Sequence, residues 1–185
     1  MDLTETLKDR ELLVEGVLLK AFRDTVRLPD GEESVREWIA HPGAAAVVPL
    51  FEDGTTILLR QFRYAPGIEF VEVPAGKLDH EGESPDEVAV RELEEEAGWT
   101  AKTVTNIGKT YPCIGYSDEV IHLFLAEDLS EAESETEDDE FVEPFRLPFE
   151  EAVARAQRGE ILDAKSVVAI LRADAFLRER DRSAG

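Results

Sequence analysis

Cysteine is almost absent: Cys113 is the only one in 185 residues, so no disulfide can form within the chain. That suits a reducing compartment, and the cytoplasm is the expected location. No apolar run reaches the ~18 residues a membrane-spanning helix needs. The first residues lack the basic and apolar segments of a secretory signal, so no export is expected. Basic residues are scarce too: 20 Lys and Arg stand against 42 Asp and Glu, a formal net charge of −22. Such a chain has no basic patch for a phosphate backbone, which excludes nucleic-acid binding. The same field repels small anions unless bound divalent cations invert its sign locally. Adaptation to a salty habitat explains the acid excess equally well. A Gly-rich P-loop and a Gly-x-Ser-x-Gly elbow are both missing. His41, His80 and His122 are scattered and, with one cysteine, give no zinc-ligand spacing.

What the chain does have is concentrated between Pro74 and Trp99. Ser84 is placed to cap a helix, Pro85 fits its first position, and Glu87 completes a Ser-x-x-Glu capping box. Gly98 is placed to end it in a left-handed conformation, which gives a helix over 85–97. Ala89, Val90, Leu93 and Ala97 share the face expected to pack on a core. Glu92, Glu95 and Glu96, spaced i, i+3 and i+4, form a ridge beside it, while Glu94 points the opposite way, into solvent. Three carboxylates on one ridge repel one another. Either the ridge is a solvated acidic face, common in so acidic a chain, or it gathers hard oxygen ligands for Mg²⁺.

Around this helix the pattern reads as α+β. Residues 1–10 are polar and are expected to form a loose helix. Strands follow at 12–19, 22–28 and 34–39, with a Pro29-Asp30-Gly31 turn, and His41-Pro42-Gly43 ends this meander. The chain therefore divides into an N-terminal strand region, 1–42, and a main domain, 43–185. So small a sheet has little core of its own, which points to pairing with a second copy in a homodimer. Further strands are expected at 44–50, 56–64, 70–73, 103–111, 120–126 and 141–147, and helices at 150–158 and 165–180. The stretch 127–143 is dominated by acids and reads as a surface excursion. Strands with one embedded helix and two at the end suggest a mixed sheet between helices.

The helix and the turn before it resemble the Nudix box, a glycine, a spacer, Glu, seven residues, then Arg-Glu-apolar-x-Glu-Glu-x-Gly-apolar. Gly76, Glu83, Arg91, Glu92, Leu93, Glu95, Glu96, Gly98 and Trp99 fill those places. One departure is visible: six residues separate Gly76 from Glu83, where the family has five, and the extra one falls in His80-Glu81-Gly82. Residues 60–64, 71–76 and 112–119, with 163–166 and the meander, look like the branch of ADP-ribose pyrophosphatases and nucleoside diphosphate sugar hydrolases. Pro112 stands near the place of a proline that this branch carries beyond the box.

The resemblance implies an α/β/α sandwich with a mixed sheet, preceded by the small antiparallel meander. It implies Mg²⁺ or Mn²⁺ held by Glu92, Glu95, Glu96 and the backbone carbonyl of Ala75. The implied base is Glu119, in the loop after the box, with Asp118 beside it and Glu95 as the other candidate; Glu95 and Glu96 count among the catalytic carboxylates. Arg63 is implied against the substrate diphosphate, where a guanidinium can grip phosphate oxygens bidentately. Arg91 is expected to pair with box acids, and Glu83 to hold a metal or orient the loop. Phe22, Trp38 and Tyr64 are core residues or platforms for an adenine. The activity implied is hydrolysis of a nucleotide-sugar pyrophosphate, ADP-ribose to AMP and ribose 5-phosphate first. GDP-mannose or ADP-glucose hydrolysis and a silent nucleotide-binding domain are the rivals.

Overall fold

Alternation along one strand sets the layers of the larger part of the molecule. Ala45 and Val47 face the cluster of Val88, Ala89 and Leu93, while Ala44, Ala46 and Val48 face Ala152, Ala169 and Ile170. A strand apolar on both sides must be covered on both sides. The computed structural model describes residues 1–133 and 141–184. Its elements are β1 (Thr6–Glu15), β2 (Lys20–Arg27), β3 (Glu33–Ala40), β4 (Ala44–Pro49), β5 (Thr55–Arg63), β6 (Ile68–Glu72) and β7 (Ala75–Lys77). Then come α1 (Pro85–Ala97), β8 (Trp99–Thr110), β9 (Ile121–Glu131), β10 (Val142–Pro148), α2 (Phe149–Arg158) and α3 (Ala164–Ala184).

They fall into two units, Met1–Gly43 with Tyr111–Val120, and Ala44–Thr110 with Ile121–Gly185. The second unit holds a four-stranded sheet in the order β7-β4-β9-β8 and a three-stranded sheet in the order β10-β5-β6. The first of these is mixed, because β4 and β9 run parallel while β7 and β8 join antiparallel. β9 alternates like β4: Phe124 and Ala126 belong with α1, while Ile121, Leu123 and Leu125 belong with α2 and α3. The mixed sheet thus lies between helices, the α/β/α arrangement expected from the sequence.

The first unit is the antiparallel sheet β1-β2-β3. Its polar centre is Asp24, which accepts both Nε (2.8 Å) and Nη2 (2.7 Å) of Arg10 and the indole N–H of Trp38 (3.0 Å). Residues 111–120 belong to the same unit: Ile39 N–H donates to the Tyr116 carbonyl and His41 N–H to Asp118 Oδ1, each at 2.8 Å.

Three expectations need correction. The polar start of the chain is not a helix, since β1 begins at Thr6 and pairs with β2 along its length. Its alternate side chains gain nothing from a core, so the apolar pattern that marks a strand is missing there. The run 12–19 is not one strand either: the chain turns at Gly16, whose N–H donates to the Leu19 carbonyl at 2.8 Å. The acidic stretch 127–143 begins as the end of β9, which runs to Glu131; its centre lies outside the described residues. Among the described residues no helix is long and apolar enough to cross a membrane.

Leu93 is wholly buried between α1 and the sheet. Leu93→Ala should cost about 2–5 kcal/mol, the range for truncating a buried leucine. Urea unfolding of the two proteins measures it, and a loss under ~1 kcal/mol would show that α1 is not docked as described.

Candidate active site

Local chemistry fixes α1 at both ends. The Glu87 carboxylate accepts the Ser84 backbone N–H (2.8 Å) and hydroxyl (2.7 Å), and Pro85 opens the first turn. At the other end Gly98 adopts φ 71°, ψ 29°, and its N–H closes on the Glu94 carbonyl at 2.9 Å. An L-residue with a side chain rarely takes that conformation, so glycine marks the stop.

The helix turns its acids inward. Glu92 is 8% exposed and Glu96 3%. Burying carboxylates is costly unless each is bonded, and here each is. Glu96 Oε2 accepts the Ala75 backbone N–H at 2.9 Å, tying the helix to β7. Glu92 lies where a side chain at position 76 would go: a Cβ on Gly76 would stand 1.7 Å from its Oε1. Glycine there leaves the space the carboxylate fills. Arg91 Nη1 reaches Glu92 Oε1 and Glu95 Oε2, both at 2.8 Å, while its Nε meets Glu83 Oε1 at 3.1 Å. Burial works against the Arg91 charge, but these carboxylates outweigh it and raise its pKa, so it stays cationic. Glu83 also stands 3.6 Å from His80 Nδ1. Glu94 is half-buried rather than turned to solvent.

Ala75, Glu92 and Glu96 therefore lie along the meeting of β7 and α1, and Glu95 is joined to Glu92 through Arg91. Their donors, carboxylate and carbonyl oxygens, are the kind that hard divalent cations take. Among the described residues no three acidic, histidine or cysteine side chains already stand at the spacing of a metal cage. The acids instead lean on Arg91 and the Ala75 N–H, so the fit rests on the donor chemistry and on the Gly76 cradle.

A second charged cluster lies in the same unit. Glu72, 3% exposed, accepts Nε (2.8 Å) and Nη2 (2.7 Å) of Arg63, and Lys165 bonds to it as well. Lys165 also meets Asp163 Oδ2 at 3.0 Å, and Asp163 caps α3 by accepting the Ser166 N–H at 2.9 Å. Arg63 is thus aimed by Glu72 through two of its donors. Nothing in the sequence marked this pairing, because Glu72 and Lys165 lie far apart along the chain.

Glu119 belongs to the other unit, half-buried, with Oε1 3.8 Å from His41 Nε2. Of the possible adenine platforms, Phe22 and Trp38 stack on each other with centroids 5.1 Å apart, and the Arg10 guanidinium stands 5.2 and 4.9 Å from their rings. Tyr64 is exposed.

Comparison with known proteins bears on this geometry. The family model for the NUDIX domain matches residues 40–168. An ADP-ribose pyrophosphatase of Bacillus subtilis (strain 168) is 42% identical over 163 residues, covering 87% of this chain and 88% of that protein. A methanol dehydrogenase activator of Bacillus methanolicus is 36% identical over 168 residues, 90% of each. A crystal structure titled as that of an ADP compounds hydrolase superposes with a TM-score of 0.85 over 98% of this chain and 99% of its own, at 23% identity. It shows the fold.

Glu72 carries a pH dependence. Burial pushes its carboxyl up, but the bonds from Arg63 and Lys165 outweigh that and hold it below the ordinary carboxylate value. A depressed pKa stabilises the fold above the unfolded value, ~4.3 for Glu, and that stability is lost as pH falls through the folded value. Unfolding measured from pH 7 down to pH 3 should show this acid limb in the parent protein and a flatter one in Glu72→Gln; equal slopes would mean that the cluster does not favour the charged carboxylate.

Proposed function

The chain belongs to the Nudix family, and on that premise we propose that it is a Mg²⁺- or Mn²⁺-dependent hydrolase of nucleoside diphosphate sugars, with ADP-ribose as its first substrate and AMP and ribose 5-phosphate as products. The observation that carries this reading is the burial of Glu92 and Glu96 against Ala75 and Gly76. A solvated acidic face has no reason to turn its carboxylates inward. The B. subtilis relative, named an ADP-ribose pyrophosphatase, supports the choice of substrate.

In this reading Glu92, Glu95, Glu96 and the Ala75 carbonyl would hold the metal. When bound, it would neutralise charge on the diphosphate oxygens and acidify a water molecule. Glu119 takes the proton of the attacking water as that oxygen bonds to phosphorus, and the bridging P–O bond breaks, its electron pair leaving with the other phosphate. Glu95 is the alternative base. Arg63, aimed by Glu72, grips diphosphate oxygens. Arg91 stays off the substrate and orients Glu92 and Glu95. Lone Cys113 supports the cytoplasm as the compartment. A second reading, a silent domain that regulates another protein, is favoured by the name of the B. methanolicus relative. The complete acid set, with Glu92 and Glu96 buried, favours turnover.

A panel of ADP-ribose, ADP-glucose and GDP-mannose with Mg²⁺ should show preferred release of AMP from ADP-ribose. Removing a charged ligand should lower kcat in Glu92→Gln by at least ~100-fold, or ~2.7 kcal/mol on the barrier. No turnover of any of the three, or full activity in Glu92→Gln, would sink the reading.

The N-terminal strand region, residues 1–42, is the dimerisation element of this proposal. Every residue of β1 is exposed, Leu7, Leu12 and Val14 among them, and Val17 and Leu18 follow in the turn. Exposed aliphatic side chains gathered on a three-stranded sheet call for a cover. Analytical ultracentrifugation should find twice the chain mass of 20.6 kDa, and the Leu7→Asp/Leu12→Asp variant should sediment as the monomer. A monomeric parent would remove the dimer from the proposal.

A further inference from the structure

His41 has no role in the reading above; within one unit its ring is bonded on one side and faces a carboxylate on the other. Its Nδ1 accepts the Gly43 backbone N–H at 3.1 Å. An imidazole nitrogen that accepts carries no proton, so the neutral ring has its hydrogen on Nε2. Nε2 is the atom 3.8 Å from Glu119 Oε1. The backbone around it is pinned to the same loop, through Ile39 N–H to the Tyr116 carbonyl and His41 N–H to Asp118 Oδ1. One short segment thus fixes the loop, the tautomer and the donor that faces the carboxylate. Tyr116 and Asp118 are the other ionisable groups beside Glu119, and Arg10 lies within electrostatic range of Asp118. Of these, only His41 offers Glu119 a donor whose protonation site is set by a second bond.

We propose that His41 is a positioning residue for Glu119, its Nε2–H orienting the carboxylate for proton abstraction from water. This rests on the reading of Glu119 as the base. At 3.8 Å the contact is longer than a hydrogen bond, and it closes to one as substrate binds, as catalytic contacts in unliganded enzymes often do.

Two amides separate this from a mere buttress of the 41–43 turn. The Asn side chain places an acceptor near Nδ1 but has no donor at Nε2; Gln places a donor near Nε2 but no acceptor at Nδ1. His41→Asn should lower kcat on ADP-ribose about tenfold, a share of the ~10²–10⁴ that a base supplies, with little change in KM. His41→Gln should stay within a few-fold of the parent. Added to Glu119→Gln, His41→Asn should cost nothing further, because the two act as one unit. Thermal unfolding of each variant shows whether it folds. The opposite order (Asn active, Gln impaired), both active, or losses that add to those of Glu119→Gln would overturn the proposal. Full activity in Glu119→Gln alone would remove the base and, with it, this role; a Glu119→Gln that is inactive beside fully active His41 variants would leave the base standing and refute only His41.

Discussion

The inward turn of the Glu92–Glu96 ridge is the constraint on which the larger unit depends. Carboxylates placed in a low-dielectric environment without partners cost several kcal/mol each, and the surroundings are built to meet that cost. β7 must come close enough for the Ala75 N–H to reach Glu96, and glycine at 76 leaves the room that the Glu92 carboxylate fills. Arg91 must lie on the same helix, within reach of Glu83, Glu92 and Glu95. The helix must then be held down by apolar contacts that do not compete for those groups. Val88, Ala89 and Leu93 supply them from the adjacent face, against Ala45, Val47 and Phe124. Charge and packing share one helix because 3.6 residues per turn set the two faces side by side.

The parts of this arrangement that were legible in the sequence are the local ones. Ser84, Pro85, Glu87 and Gly98 act on their own helix within a turn of themselves, and α1 spans the same residues, 85–97, that those signals enclose. β4 and β9 were legible because strands buried on both faces read as continuous apolar runs. β1 was legible only from Leu12 on: its residues are exposed, and its pairing with β2 is set by backbone bonds and cross-strand pairs such as Arg10–Asp24 and Arg23–Glu11, which leave no hydrophobic pattern. The Arg63–Glu72–Lys165 cluster was illegible for a different reason. Complementary charges far apart in the chain say nothing until the fold brings them together. The sequence likewise showed that Glu92, Glu95 and Glu96 share a ridge, but not that Glu92 and Glu96 are buried.

The two charged clusters answer to different physics. Around Arg91 one cation serves three carboxylates, so acid is in excess there. Around Glu72 the buried carboxylate bonds two cations, Arg63 and Lys165, and Asp163 takes a second contact from Lys165, so the charges there balance. The two clusters also feel each other, since Glu96 of the ridge is among the carboxylates that favour the Arg63 charge.

The extra residue between Gly76 and Glu83 tests how tolerant that design is. Had it fallen inside α1, every carboxylate after it would have rotated by ~100° and the ridge would have been broken. It falls instead where Gly82 takes φ 86°, in a turn closed by the Glu83 N–H to the His80 carbonyl at 3.3 Å. Beyond this turn Glu83 still meets Arg91 and the capping box still opens the helix. The insertion is therefore absorbed before the first helical residue. What it changes is the surface of the turn, where His80 now stands beside Glu83, and not the spacing of Glu92, Glu95 and Glu96, because the helix itself sets that spacing.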